Sequence, residues 1–264
     1  MPSSPPRPLK RLGQHFLVDP NIVRKIVAAA KLRPEETVLE IGPGRGILTR
    51  ALCAAARTVI AVELDQKLED YLKETLGDCG NLDLRIGDAL EFPYETLPEG
   101  TVVVANLPYY ISTPLLFKLL EARPRIDRMV LMLQAEVARR LVAQPGSSDY
   151  GILSVLTQYA VEASLAFQVS PGCFRPRPEV GSAVVSLVTR KQPSVPVENE
   201  ARFVRTVRAS FAHRRKTLAN SLRDEGLPAE QIALALAQAE IVPSRRAETL
   251  SLEEFATLAE ALTL

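Results

Sequence analysis

The strongest constraint on the fold is a series of short, largely apolar runs, each followed by a stretch of helical composition. "TVLEI" (Thr37–Ile41) stops at a glycine turn before "ILTRALCAAA", and "TVIAVE" (Thr58–Glu63) gives way to "QKLEDYLKETL". "LDLRI" (Leu82–Ile86) and "TVVVA" (Thr101–Ala105) continue the series. A helix is expected over about Pro114–Ala122, and "RMVLML" (Arg128–Leu133) precedes the helical "QAEVARRLVA". Strands apolar on both faces need cover on both, and an intervening helix lets consecutive strands run parallel. A parallel sheet with helices on its two faces is the expected core.

After Tyr150 the pattern changes. A helical "GILSVLTQ" precedes "VEASLAFQV" and "SAVVSLV", extended runs separated only by the proline-rich "PGCFRPRPEVG". Without a helix between them, these predict an antiparallel pair at the sheet edge. "TRKQPSVPVENEA" (Thr189–Ala201) reads as a linker. Beyond it, "RFVRTVRASFAHRRKTLANSL", "PAEQIALALAQAEI" and "SLEEFATLAEAL" have helical periodicity, the last opening on a Ser251/Glu254 capping box. The expected architecture is an α/β domain with a seven-stranded Rossmann-like sheet over residues 1–190, followed by a small all-helical domain over 191–264.

Composition narrows the class. The chain of 264 residues is 47% hydrophobic and 24% charged, an ordinary globular balance, and Lys plus Arg (32) nearly cancels Asp plus Glu (31). Cys53, Cys79 and Cys173 are widely spaced, which argues for reduced thiols rather than a disulfide scaffold or zinc site. With only His15 and His213, a histidine-rich metal site is not expected. The N-terminus lacks a signal-peptide core, and the longest uncharged run is interrupted by Asn106, Pro108 and Pro114. A cytoplasmic protein without a membrane span or metal is expected.

"VLEIGPGRGILT" places Gly42, Gly44 and Gly46 between a strand and a helix, where glycine lets the backbone turn and a ligand approach closely. Glu63 ends the next strand about 20 residues on, where a carboxylate accepts hydrogen bonds from ribose hydroxyls. Asp88, after the third strand, sits at the same sheet edge and is suited to an adenine amino group. A dinucleotide and S-adenosylmethionine both fit this outline. The spacing lacks the third glycine of G-x-G-x-x-G, and Glu40 ahead of the loop suits a cation better than a pyrophosphate. S-Adenosylmethionine is therefore favoured, with S-adenosylhomocysteine as product. A dehydrogenase is disfavoured further because no histidine or tyrosine–lysine pair is placed for hydride chemistry.

"LGQHFL", "VLEIGPGRGILT", "VELD", "GDAL", "NLPYYIS", "FRPRPEVGSAVV" and "FAHRRKTLANSL" occur in this order. Together the motifs resemble the ribosomal RNA adenine N6,N6-dimethyltransferase family, in particular its bacterial small-subunit branch, from about residue 10 to residue 222 and in a similar helical tail. The resemblance implies a class I S-adenosylmethionine-dependent methyltransferase fold. It also implies action on two adjacent adenosines in the 3′-terminal hairpin loop of 16S rRNA, within a partly assembled 30S particle. The family is generally monomeric. By the same resemblance, His15 and Leu17 contact the cofactor and Gln14 shapes its pocket.

The chemistry of "NLPY" stands beside that likeness. An exocyclic adenine amine is a weak nucleophile because its lone pair is delocalised into the ring. Acceptors that hold its N–H groups favour a more tetrahedral nitrogen aimed at the methyl. The side-chain oxygen of Asn106, which also borders the cofactor, and the carbonyl of Leu107 are suited to that task. Pro108 fixes the backbone, and Tyr109 offers a ring for a flipped base. The donor is already cationic, so positioning and electrostatics replace a strong base. Phe174, held by Pro176 and Pro178, is expected to stack on the other face of the base, mostly on the strength of the resemblance.

RNA binding is expected from the distribution of charge. Arg202, Arg205, Arg208, Arg214, Arg215 and Lys216 fall in a segment without acids whose Val204, Val207, Phe211, Leu218 and Leu222 form an apolar helical face. Arg7, Lys10 and Arg11 form a second cluster. Neutralising about six phosphates would give a log–log salt slope near −4 on single-stranded RNA. Two alternatives remain: a 23S rRNA adenine N6-methyltransferase of the antibiotic-resistance type, or a ribosome-assembly factor whose catalysis is secondary.

Overall fold

The computed structural model of the protein describes residues 6–9, 13–213 and 215–262. The chain forms two compact units, one drawn from Met1–Ala138 and Glu162–Thr189, the other from Arg139–Val161 and Arg190–Leu264. The chain finally passes from the first unit to the second between Thr189 and Arg190, and Arg139–Val161, which the expected division groups with the first, clusters with the C-terminal helices.

In the first unit, β1 (Phe16–Leu17) precedes α1 (Pro20–Ala30), β2 (Thr37–Ile41), α2 (Ile47–Cys53), β3 (Thr58–Glu63), α3 (Glu69–Thr75), β4 (Leu82–Ile86), β5 (Thr101–Asn106), α4 (Ser112–Glu121) and β6 (Ile126–Gln134). Helix α5 (Ala135–Val142) leads towards the second unit; β7 (Val161–Val169), β8 (Phe174–Arg175) and β9 (Ser182–Thr189) return to the first. The seven-stranded sheet has the order β4-β3-β2-β5-β6-β9-β7, while β1 and β8 form a separate two-stranded ladder. From β4 to β6 neighbours run parallel, and β9 is antiparallel to β6. The chain moves outward from β2 through β3 to β4, then restarts at β5 on the other side of β2. Such a reversal opens a crevice at the carboxyl ends of the strands.

Burial explains the uninterrupted valine runs. Val38, Val102, Val104, Val130, Met132 and Val184 pack with α1 and α2 through Ile22, Val23, Ile26, Leu48 and Leu52. Their alternates Leu39, Val103, Ala105, Met129 and Leu131 point to the opposite face by the strand period and are equally buried. Helix α1 is not among the elements expected from the sequence. Asp19 caps it by accepting from the Asn21 amide at 2.8 Å, Pro20 occupies its first turn, and Lys31 in the left-handed region ends it. Below the sheet, buried Glu36 receives Arg128 through bonds of 2.7 and 2.9 Å, and Arg128 Nε also donates to Ala30 O. Those bonds to Arg128 hold the Glu36 carboxyl down at about 2.

In the second unit, α6 (Ile152–Ala160), α7 (Glu200–Phe211), α8 (Leu218–Asp224), α9 (Ala229–Gln238) and α10 (Leu252–Ala261) enclose an aromatic core. Tyr159 stacks on Phe203 with centroids 4.5 Å apart, and Phe211 lies 5.7 Å from Phe255. Gln158 donates to the carbonyls of Leu141 and Ala143, and the Ser194 amide donates to Tyr159 O, which ties Arg139–Val161 into this unit. The capping box of α10 forms as expected between Ser251 and Glu254. The single helical stretch expected over residues 202–222 is interrupted: α7 ends at Phe211 and Thr217 caps a new helix. Among the described residues, no helix is long and apolar enough to cross a membrane.

Candidate active site at the carboxyl edge of the sheet

The glycine loop after β2 and the turn after β5 face each other across the crevice. Gly42, Gly44 and Gly46 have φ of 70, 58 and 77°, the left-handed region that disfavours side chains. At Gly44 the reason is also steric, since a Cβ there would lie 2.9 Å from the Phe16 ring. Phe16 therefore rests on the loop, and the Arg45 guanidinium covers its ring at 4.6 Å from the centroid.

Glu63, at the end of β3, accepts from the amides of Gly44 at 3.0 Å and Asp65 at 2.9 Å, one on each oxygen. Each carboxylate oxygen has a second lone pair, so this bracing leaves acceptor capacity towards the cavity that Glu63 lines. Burial raises its pKa against those two amide bonds. Glu40 is only 1% exposed, and its Oε2 has no hydrogen-bond partner among the described residues. Burial pushes its carboxyl up to about 8, opposed by Thr49 and reinforced by the charge of Glu63. Glu40 thus retains a proton at neutral pH, so its repulsion of an anion is weaker than the residue type suggests. It borders a small recess with Arg45, Leu17 and Asn106.

Asn106 ends β5. Its Nδ2 donates to His15 O at 3.4 Å, and its amide oxygen makes no hydrogen bond among the described residues. The Leu107 amide donates to Met132 O at 3.1 Å, so the turn starts from the ladder itself, with the Leu107 side chain buried. Pro108 lies against Gly42, where a Cβ would stand 3.6 Å from its ring. Tyr109 Oη and Ser182 Oγ are 2.6 Å apart, and the Tyr109 ring lies 5.6 Å from that of His15, tilted by 32°. Burial lifts the Tyr109 phenol above its ordinary value, with the bond to Ser182 opposing the rise.

Two spaces meet at this turn. One is lined by Gly42, Gly44, Glu63, Leu64, Asn106 and Tyr110 among others, and suits a nucleoside-bearing cofactor. The other, a cleft of about 770 Å³, is bordered by Arg7, Gln134, Arg177 and Val180, and shares His15 and Tyr109 with the first. That volume is ample for a small-molecule-sized group.

Several expected site residues sit elsewhere. Phe174 is fully buried: it pairs with Leu17 in the β1–β8 ladder and packs beside Val23 and Val184. The alternation of that short strand turns Phe174 inward and Arg175 outward, so the loop contributes Pro176–Val180 to the cleft wall, and Phe174 is not part of that wall. Leu17 likewise joins the core and touches only the small recess. His15 lines the cavity with Nδ1 bound to Pro176 O at 2.8 Å. Gln14 bridges the Leu9 amide and the Asp65 carboxylate. Asp88 is exposed beyond the cavity lining, its Oδ1 accepting from the Leu90 amide. Ser182, Gln134, Arg177 and Arg45 are additions from the tertiary structure. Arg45, Arg177 and Ser182 fall inside the quoted motifs, but the motifs do not say which of their side chains reach the site.

The expected basic surface is partly neutralised. Arg202 pairs with Glu260 and Glu198, and Lys216 pairs with Asp224. Arg205, Arg208 and Arg215 are exposed, as is Arg7 at the cleft. Lys10, Arg11 and Arg214 lie outside the described residues. Among the described residues, no cluster of three or more His, Cys, Asp or Glu is placed to hold a metal.

Comparison with known proteins agrees with this geometry. The profile of the ribosomal RNA adenine dimethylase family matches residues 8–264. Ribosomal RNA small subunit methyltransferase A of Moorella thermoacetica is 49% identical, the match covering 97% of this chain and 92% of that protein. The protein of the same name from a Geobacillus species is 48% identical, with coverage of 96% and 91%. Among solved structures, a dimethyladenosine transferase from Plasmodium falciparum superposes with a TM-score of 0.79 at 30% identity, covering 92% of this chain and 96% of that one. The 23S rRNA methyltransferase ErmE gives 0.71 at 30% identity, with coverage of 94% and 100%. The chain belongs to the ribosomal RNA adenine dimethylase family.

Proposed function

We propose that the protein transfers methyl groups from S-adenosylmethionine to the N6 amines of two adjacent adenosines in the 3′-terminal hairpin loop of 16S rRNA, acting as a cytoplasmic monomer on a pre-30S particle. The observation that carries this reading is the Asn106–Tyr109 turn, braced by the sheet at the junction of the two spaces. The names of the relatives at 48–49% identity favour the small ribosomal subunit.

The residues fit such a donor. The left-handed glycines leave room for close approach, Glu63 retains acceptor capacity for ribose hydroxyls, and the orphaned Oε2 of Glu40 awaits a cation or donor. Asp88 stands farther out, where a role at the adenine would require contact at the cavity mouth. The donor supplies an electrophilic methyl on a sulfonium centre.

The chain does the rest. Because Nδ2 of Asn106 is tied to His15 O, Oδ1 is the end offered to an adenine N–H. The Leu107 carbonyl is the second acceptor, on a peptide whose neighbouring amide is anchored to β6. The Tyr109 ring, held at its hydroxyl, presents a face on which a flipped base stacks. Flipping is cheapest in an RNA loop, whose bases are already unstacked. Arg7 and Arg177 at the cleft, with the exposed arginines of the helical unit, meet phosphates. The donor's methyl is already electrophilic, so positioning of the amine replaces a strong base.

Mapping N6,N6-dimethyladenosine in rRNA from cells lacking the gene tests the assignment. Loss of both marks from 16S rRNA, restored by the intact gene, is expected. Loss from 23S rRNA instead would favour the antibiotic-resistance type of enzyme, and complementation by a methylation-dead Asn106→Ala chain would favour an assembly factor.

A further inference from the structure

We propose that Ser182 is a positioning residue for methyl transfer, setting the angle of the Tyr109 ring through the bond between their hydroxyls. This rests on the reading of the Asn106–Tyr109 turn as an adenine clamp. Tyr109 borders both the cofactor cavity and the larger cleft. Its ring angle therefore fixes how far a base stacked on it stands from the donor.

The ring is restrained at three points. Its backbone lies in the turn after Pro108, with Ser112 Oγ donating to Tyr109 O at 3.1 Å. Its face meets His15. Its far end reaches Ser182, distant in sequence and only 1% exposed. The contact with His15 limits the ring from one side, and the bond to Ser182 is the one that fixes its far end against a swing about χ1 and the broad, two-fold χ2.

Ser182 is well built as an anchor. It opens β9 directly opposite Gln134, the last residue of β6, and the Ala135 amide donates to Gly181 O at 2.9 Å. Its Cα is therefore placed by ladder hydrogen bonds rather than by the proline loop that precedes it. The sheet that aims Asn106 also aims Ser182, so the acceptor end and the stacking surface of the clamp share one rigid frame. A hydroxyl in this position serves the Tyr109 phenol, which would otherwise be left half-buried and unpaired.

Single-turnover methylation of 30S subunits lacking the dimethyl marks, with the purified full chain and saturating S-adenosylmethionine, tests this. Ser182→Ala is expected to lose about tenfold or more in rate, because small misplacements of a reacting group are costly. Its Kd for S-adenosylmethionine should stay within about twofold, and Ser182→Thr should recover most of the rate. Tyr109→Phe removes the same bond from the other end while keeping the ring, and should show a similar loss. Adding Ser182→Ala to Tyr109→Phe should then cost nothing more. An additive double variant, a Ser182→Ala rate equal to the parent, or a parallel loss of donor binding overturns the assignment. If Ser182→Ala does not fold, Tyr109→Phe decides alone, and an unchanged rate rejects the idea. A parent chain that leaves the adenines unmethylated sinks the functional reading, and this inference with it.

Discussion

At the end of β5, polar groups are paired by partners on or next to strands. Asn106 Nδ2 meets the His15 carbonyl, the Leu107 amide meets Met132 O, and the Tyr109 hydroxyl meets Ser182. On α7 and in the turn before α8, cations meet acids on flexible side chains: Arg202 meets Glu260 and Glu198, and Lys216 meets Asp224. The first region is suited to aiming one atom, because two of its three anchors are backbone carbonyls, which lose no rotamer freedom when a substrate arrives, and the third is a buried serine. The second is suited to adjustable phosphate contact, and part of its charge is already engaged. Precision and adhesion are built from different materials in one chain.

The comparison is sharpened most strongly at Phe174, which belongs to neither region. Phe174→Ala should cost about 3–5 kcal/mol of stability in denaturant unfolding, as expected for a fully buried aromatic. Phe174→Leu should keep most of the activity per folded molecule. A Leu variant of parental stability that cannot methylate would mean that this ring leaves the core to meet the base.

An intermediate effect comes from Glu40. Its carboxyl is raised to about 8 by burial, so it holds a proton below that pH and releases it above. A bound cation favours the ionised form. Binding of S-adenosylmethionine should therefore expel a proton, and affinity should rise about tenfold from pH 6 to pH 8 before levelling. Calorimetry across pH checks this, and Glu40→Gln should abolish the slope that Glu40 contributes. A slope identical in the Gln variant would show that Glu40 is not linked to the donor.

The smallest effects belong to the helical unit. Arg202→Ala should leave the salt dependence of RNA binding unchanged and cost no more than about 1 kcal/mol of stability, since its charge is engaged by Glu260. Arg215→Ala should reduce the magnitude of the log–log slope by about 0.7, the value for one single-strand phosphate. Equal slopes for both variants would erase the distinction between engaged and available cations.

These contrasts also explain what the sequence made legible. The central strands β2, β3, β5 and β6 read clearly because double-sided burial writes itself as continuous apolar residues, and the glycine loop because left-handed turns select glycine. Helix α1 carries its own signals, Asp19 and Pro20, but follows directly on "LGQHFL", a motif whose residues resemble a cofactor site rather than a helix start. The break at residues 212–217 lies in a stretch whose composition remains helical, so only packing and the Thr217 cap decide it. Phe174 is ambiguous from sequence because a rigid proline loop serves a core anchor as well as a lid. The Arg128–Glu36 clamp, the Lys216–Asp224 pair and the Ser182 anchor join residues far apart or around a turn, and no periodicity announces them.

The most direct test is mass spectrometry of adenosines after incubating undermethylated 30S subunits with labelled S-adenosylmethionine and either the parent protein or Asn106→Ala. The parent should yield N6,N6-dimethyladenosine, and the variant should be slower by about 10²–10³-fold while still binding the donor. Methylation by Asn106→Ala at the parental rate would contradict the claim that this amide oxygen holds the reacting nitrogen.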